Sequence, residues 1–390
     1  MAALVVAAAG GGSAAARPVV PGCVGAVGGG ANLPAADPSF AKLGGEPFGV
    51  AAIPGYAFVA NTAGELDVLA DRDSAPRLVH KIPLAAAGGD ALGMTVTAER
   101  RYLLIADRDG AIVVDTARAQ AGDRDAVLGT LDKGSGGGFG GAIEVAVSPD
   151  GRYAFVSLED LAQIAVYRLA AAVADHFSKP EFVGAIPAGE APVGLAVSPN
   201  GRWLYSTSEL SGPGHRLLGR GRDGSLSVIS VAEAEKDPAH AVKATVDAGC
   251  SPVRVAVSPS GRDVWVTARG SDSLLAFSAA RLVADAKDAL LASVRVGAAP
   301  VGVAVVDGGS RVVVADSDRF GAAGRNSALT VVDANAALAG RPALVGTVRA
   351  ERFPRDVAVE PAGTILLVTN FGSGTLEAVH VADRAQESHG

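Results

Sequence analysis

Cysteine is nearly absent: the 390 residues hold two, Cys23 and Cys250, with no C-x-x-C pair. That excludes a disulfide-dense scaffold, a cysteine-rich zinc module and a dithiol redox motif. No G-x-S-x-G elbow and no H-E-x-x-H helix occurs, so serine-hydrolase and zinc-protease readings find no support. Aromatic residues make up 5%, and helical periodicity is nearly absent outside alanine-rich stretches such as Ala170–His176 and Ala279–Leu291, expected as short surface helices. No segment reaches the roughly 18 apolar residues of a membrane helix, so no membrane partner is expected. Thirty-four basic against 41 acidic residues leave a net charge of −7, which argues against nucleic acid. Gly219–Gly224 and Gly136–Gly141 match G-x-G-x-x-G, but neither opens a helix, so neither is a dinucleotide fingerprint.

What the chain does have is a phrase used seven times. Ala146-Val-Ser-Pro-Asp-Gly-Arg152, Ala196-Val-Ser-Pro-Asn-Gly-Arg202 and Ala256-Val-Ser-Pro-Ser-Gly-Arg262 are its clearest copies, each an apolar strand, a tight turn and a second strand. Proline presets one turn corner and glycine accepts the positive φ that closes the reversal. Equivalent positions in the seven copies are Gly49, Gly93, Glu144, Gly194, Arg254, Gly302 and Asp356. Their spacing runs from 44 residues (Gly49 to Gly93) to 60 (Gly194 to Arg254). Short strands at such a period predict an all-β, seven-bladed propeller of four-stranded antiparallel blades. The last copy stops after three strands, at Val381, and Ser39–Gly44 stands where later copies carry a fourth strand. The N-terminal strand is therefore expected to complete the last blade and close the ring. The expected organisation is a leader over 1–36, one propeller over 37–382 and a polar tail over 383–390.

The phrase "SPDGRYAFVS", with "ILLVTN" at Ile365–Asn370, resembles the YVTN-type seven-bladed propeller repeat. That superfamily includes lactonases similar to 6-phosphogluconolactonase, periplasmic YncE-like proteins and surface-layer adhesion arrays. The resemblance implies the scaffold strongly and the function weakly. A monomer is expected. The leader, Met1–Ala9 followed by Ala14-Ala-Ala-Arg-Pro18, has the apolar core and small-residue site of a secretory signal without its basic start. Export is the favoured reading, with a cytoplasmic protein as the alternative; in an exported chain Cys23 and Cys250 are free to pair.

Departures from the repeat locate candidate sites. Loops between second and third strands share one face of the disc with the blade-to-blade loops, and long insertions there occupy 209–224 and 316–326. They are expected to wall a pocket over the central channel. Four of the seven equivalent positions are glycine, whereas Glu144, Arg254 and Asp356 carry charge and are expected at the channel mouth. These three form either an ion-paired plug or a ligand site. Arg254, Arg355, Arg319 and Arg325, with Phe320, are the candidate substrate-binding residues, because guanidinium forks suit carboxylate or phosphate. Glu144, Asp356 and His215 are candidate acids and bases for lactone hydrolysis or a related isomerisation or cyclisation. No cofactor is expected; Asn61, Asp107, Asp316 and Asn370, which end second strands, form a weak candidate set for Ca²⁺, with local turn capping as the plainer reading. The rival reading is an exported, non-catalytic propeller binding a protein, peptide or cell-envelope ligand.

Overall fold

The structure is a computed structural model and describes residues 18–23, 33, 38–72, 75–84, 91–133, 140–210, 223–321 and 327–380. Its strands form seven sheets of four, each an antiparallel meander. Blades are numbered in chain order; their inner strands are Pro47–Ile53, Met94–Val96, Ala142–Val147, Glu190–Val197, Pro252–Val257, Pro300–Val306 and Pro354–Val359. Six blades are continuous in sequence. The seventh takes Pro354–Val359, Ile365–Asn370 and Thr375–His380 from the end of the chain and Ser39–Lys42 from its beginning. Ser39 pairs with Ala378 and Lys42 with Thr375, so the N-terminal strand covers the edge that the incomplete last copy leaves open.

The recurring turn is a hydrogen-bonded unit. Ser148 Oγ accepts from the Tyr153 amide at 3.0 Å and donates to Asp150 Oδ1 at 2.6 Å, while Gly151 takes φ +71°. Ser198 repeats this with Trp203 and Asn200, and Ser258 with Asp263. The proline and glycine of the phrase set the backbone; its serine satisfies the buried polar groups.

Short helices follow the third strand in five blades, including Leu169–Ala174 and Ala279–Ala284. The second is shorter than its alanine-rich sequence suggests. Asp285 leaves the helix at φ −154°, and Leu290 joins the outer strand opposite Phe277. The hydrophobic core lies between blades: Phe155, Leu204 and Ile229 fill the seam of blades three and four, and Trp265, Leu274 and Val314 that of five and six.

Candidate functional site

At the level of the seven equivalent positions each described inner strand except that of blade two shifts register against its neighbour, as between Pro252 and Arg254. Such a bulge leaves one amide without a ladder partner and re-aims its side chain. In blades three, four, five and seven a hydroxyl from the second strand fills the gap. Ser157 Oγ accepts from the Glu144 amide at 3.0 Å, Thr207 from Gly194 at 3.1 Å, Thr267 from Arg254 at 3.2 Å and Thr369 from Asp356 at 3.0 Å. Thr267 and Thr369 then donate to Val301 O and Phe48 O of the next blade, both at 2.8 Å.

Neighbouring inner strands come so close here that a Cβ on any of the four glycines would press on the next blade. A Cβ on Gly93 would lie 2.5 Å from Glu144 Oε1, one on Gly194 3.1 Å from Arg254 Cα, and one on Gly302 3.0 Å from Arg355 O. Glu144, Arg254 and Asp356 alternate with glycines around the ring. The residues one position earlier are Phe48, Leu92, Ile143, Val193, Val253 and Val301 in six blades, and Arg355 in the seventh. Val193, Val253 and Val301, with Ile143 against them, form a small apolar layer. Beside it the Arg355 guanidinium stacks 3.6 Å from the Phe48 ring centre, with Phe371 and Phe353 at 5.3 and 5.5 Å.

Arg254 is 8% exposed, and its Nε lies 3.4 Å from Glu144 Oε2. Its Nη1 donates to Val253 O at 3.1 Å, but Nε and Nη2 have no hydrogen-bond partner; nor does Arg355 Nε. Asp356 Oδ2 accepts from the Val50 amide at 3.0 Å. Burial pushes the Glu144 carboxyl up to about 8, against the opposing pull of Arg254. Burial raises Asp356 as well, again opposed by Arg254. Burial drives Arg355 well below the ordinary arginine value, and Arg254, Arg319 and Arg269 push it further in the same direction. Four arginines thus share this region with three carboxylates, Glu144, Asp356 and Glu209.

The region extends to the surface through alternating guanidinium and ring planes. Arg269 lies over Phe320 at 5.9 Å; Arg319 lies over Phe320 and Phe353 at 5.3 and 5.4 Å. Phe320 is 58% exposed, and Arg269 Nη2 holds Glu209 Oε2 at 2.5 Å. Below the charged layer a cavity of about 450 Å³ runs from Glu144 toward the Ser148-Pro149 and Ser198-Pro199 turns.

The structure therefore brings Glu144, Arg254, Arg355 and Asp356 into one cluster, with Arg319 and Phe320 on the path to it. His215, Arg325 and the tips of both insertions lie outside the described residues. Asn61, Asp107, Asp316 and Asn370 do not join the cluster. Asn61 Nδ2 donates to Gly44 O at 2.7 Å, Asn370 Nδ2 to Glu377 Oε2 at 2.9 Å, and Asp316 Oδ2 accepts from Thr330 at 2.5 Å. Asp316 and Asn370 are thus held within their own blades and Asn61 by the segment that joins blades seven and one, and among the described residues no group of three or more His, Cys, Asp or Glu has the geometry to hold a metal. Phe48 and the hydroxyls of Ser157, Thr207, Thr267 and Thr369 escaped the sequence reading. Each hydroxyl stands 13 residues after its bulge position, a spacing visible in the repeat itself.

A family profile described as lactonase, seven-bladed β-propeller, matches residues 86–318, more than half of the chain. The chain belongs to this family. Among solved structures, hydrazine synthase of Kuenenia stuttgartiensis is similar at a TM-score of 0.67 and 16% identity, over 86% of this chain and 96% of that one; the likeness is one of fold. No curated protein matches the sequence. Among the described residues no helix is long and apolar enough to cross a membrane.

Proposed function

We propose that this lactonase-family propeller is an enzyme acting on an anionic, carbonyl-bearing small molecule held where Arg254, Arg355, Glu144 and Asp356 meet. The observation that carries the reading is the buried Arg254 guanidinium, whose Nη2 has no hydrogen-bond partner and whose Nε meets only the Glu144 carboxylate at 3.4 Å, together with the unbonded Nε of Arg355. Unfilled buried donors are costly, and a carboxylate, phosphate or carbonyl oxygen fills them.

In lactone hydrolysis Arg254 polarises the ring carbonyl while Arg355 and Arg319 hold the anionic group. Glu144, as carboxylate, takes a proton from water as the water oxygen bonds to the carbonyl carbon. The tetrahedral oxyanion rests on Arg254; the ring C–O bond then breaks and the leaving alkoxide takes the proton back from Glu144. Because the Glu144 carboxyl sits at about 8, the rate rises with pH up to that value. Asp356 orients the water or shares the proton. Export is part of the proposal, supported by the Cys23–Cys250 disulfide, a bond suited to an oxidising compartment.

The 3.4 Å Glu144–Arg254 pair favours a second reading, a structural plug in a non-catalytic ligand-binding propeller. Assaying a lactone panel with the wild type, Arg254→Ala and Glu144→Gln separates the two. The enzyme reading expects kcat/KM to fall about 100-fold or more in each variant, and the alkaline rise to vanish in Glu144→Gln. Loss of melting temperature in both, with no anion or lactone shifting the wild-type curve, establishes the plug instead.

A further inference from the structure

The two cysteines lie 227 residues apart in sequence, yet Cys23 Sγ is bonded to Cys250 Sγ. The bond staples a segment preceding the propeller across the seam of blades four and five. Val20 packs against the core of that seam, and Pro21 O accepts from Ser271 Oγ at 3.0 Å. Cys250 is fully buried whereas Cys23 is exposed, so the bond can be reached from one side.

Cys250 stands directly before the strand that carries Arg254. Its amide donates to Ser271 Oγ at 2.9 Å, and Gly270 leaves it room, since a Cβ there would lie 2.6 Å from the Cys250 sulfur. The next residue, Ser251, takes φ +49°, and its carbonyl accepts from the Arg269 amide at 3.0 Å. The turn Arg269–Ser271 is the one whose guanidinium holds Glu209 and covers Phe320. Disulfide, turn and Arg254 strand are thus one hydrogen-bonded unit; the left-handed residue before the strand recurs at Ala191, Ala299 and Phe353, whereas the disulfide and the Ser271 bonds belong to this seam.

We propose that the Cys23–Cys250 disulfide is a redox latch on the arginine site, positioning Arg254 and Arg269 for anion binding when oxidised and releasing them when reduced. The ligand part rests on the function proposed above; the latch itself does not. A dithiol reductant attacks the exposed Cys23 sulfur as thiolate, forming a mixed disulfide and expelling the Cys250 thiolate, which takes a proton. The second thiol of the reductant then displaces Cys23 as it closes its own disulfide, leaving two protein thiols. The segment 18–23 leaves the seam, and Ser271 Oγ loses one of its two partners. The ring stays closed, because Ser39–Lys42 pairs with Thr375–His380 independently of the staple.

The test uses the full chain, oxidised, treated with dithiothreitol, and as Cys23→Ser. Hydrogen exchange is expected to accelerate on reduction at residues 249–254 and 269–272 and to stay unchanged in the strands of blades one and seven. Calorimetric titration with inorganic phosphate is expected to show affinity about tenfold weaker, the loss of a preorganised site. Cys23→Ser should reproduce both effects and ignore the reductant. Unchanged exchange at 249–254 and 269–272 in reduced protein and in Cys23→Ser overturns the latch. Faster exchange with equal phosphate affinity overturns its coupling to the anion site. If the oxidised wild type binds no phosphate and no lactone, the anion reading fails, and the exchange data alone decide the latch.

Discussion

At the residue scale the pattern Gly49, Gly93, Glu144, Gly194, Arg254, Gly302, Asp356 reflects how closely the inner strands approach. A Cβ on Gly49, Gly93, Gly194 or Gly302 would meet the backbone of the next blade at 2.5–3.0 Å, so a side chain at this level is confined to the other three blades. Gly93→Ala places a methyl group 2.5 Å from Ile143 O and is expected to cost about 1–3 kcal/mol, read as a lower denaturation midpoint. Asp316 supplies a test of pH dependence. Burial raises its carboxyl from 3.8 in the ordinary state to about 8, so the fold favours the protonated form and loses stability as pH rises between those values. Asp316→Asn is expected to exceed the wild type in melting temperature by more at pH 8 than at pH 5; an equal difference at both values would rule this cause out. The charged departures Glu144, Arg254 and Asp356 were legible because six other copies served as controls. Phe48 was not, because an aromatic in an apolar position looks ordinary until Arg355 is seen against its face.

At the scale of the element, the inner strand and the turn that ends it are nearly readable from the phrase, since proline, glycine and serine each have a local task. The bulge at the other end is less so. In four blades its amide is satisfied by a hydroxyl 13 residues later, and the hydroxyls of Thr267 and Thr369 also reach the next blade, a contact between elements distant in sequence. Thr267→Val removes the acceptor for the Arg254 amide and the donor to Val301 O. The expected loss is about 1–3 kcal/mol, the cost of unpaired buried polar groups, seen as a lower urea midpoint with unchanged slope. Thr→Ser at the same site should recover most of it. The Ca²⁺ candidates show what a shared place in the repeat leaves open: Asn61, Asp107, Asp316 and Asn370 stand on four different blades, and Asp316 and Asn370 bond within their own sheets.

At the scale of the molecule, closure is carried by four residues. Deleting residues 1–43 exposes the edge of Thr375–His380 and is expected to lower the melting temperature and produce concentration-dependent association by light scattering, with Cys23→Ser as the control for the lost disulfide. Blade number, strand direction and the closing strand were determined by the sequence alone, because turns and alternating apolar strands are local and repeat. Which departures from the repeat converge was decided only by the tertiary structure. Glu144, Arg254 and Asp356 sit on every second blade, and it is the curvature of the ring that turns positions more than 200 residues apart into one buried cluster. The same holds for the staple: two cysteines in a sequence say nothing of distance, whereas the seam between blades four and five sets Cys23 against Cys250.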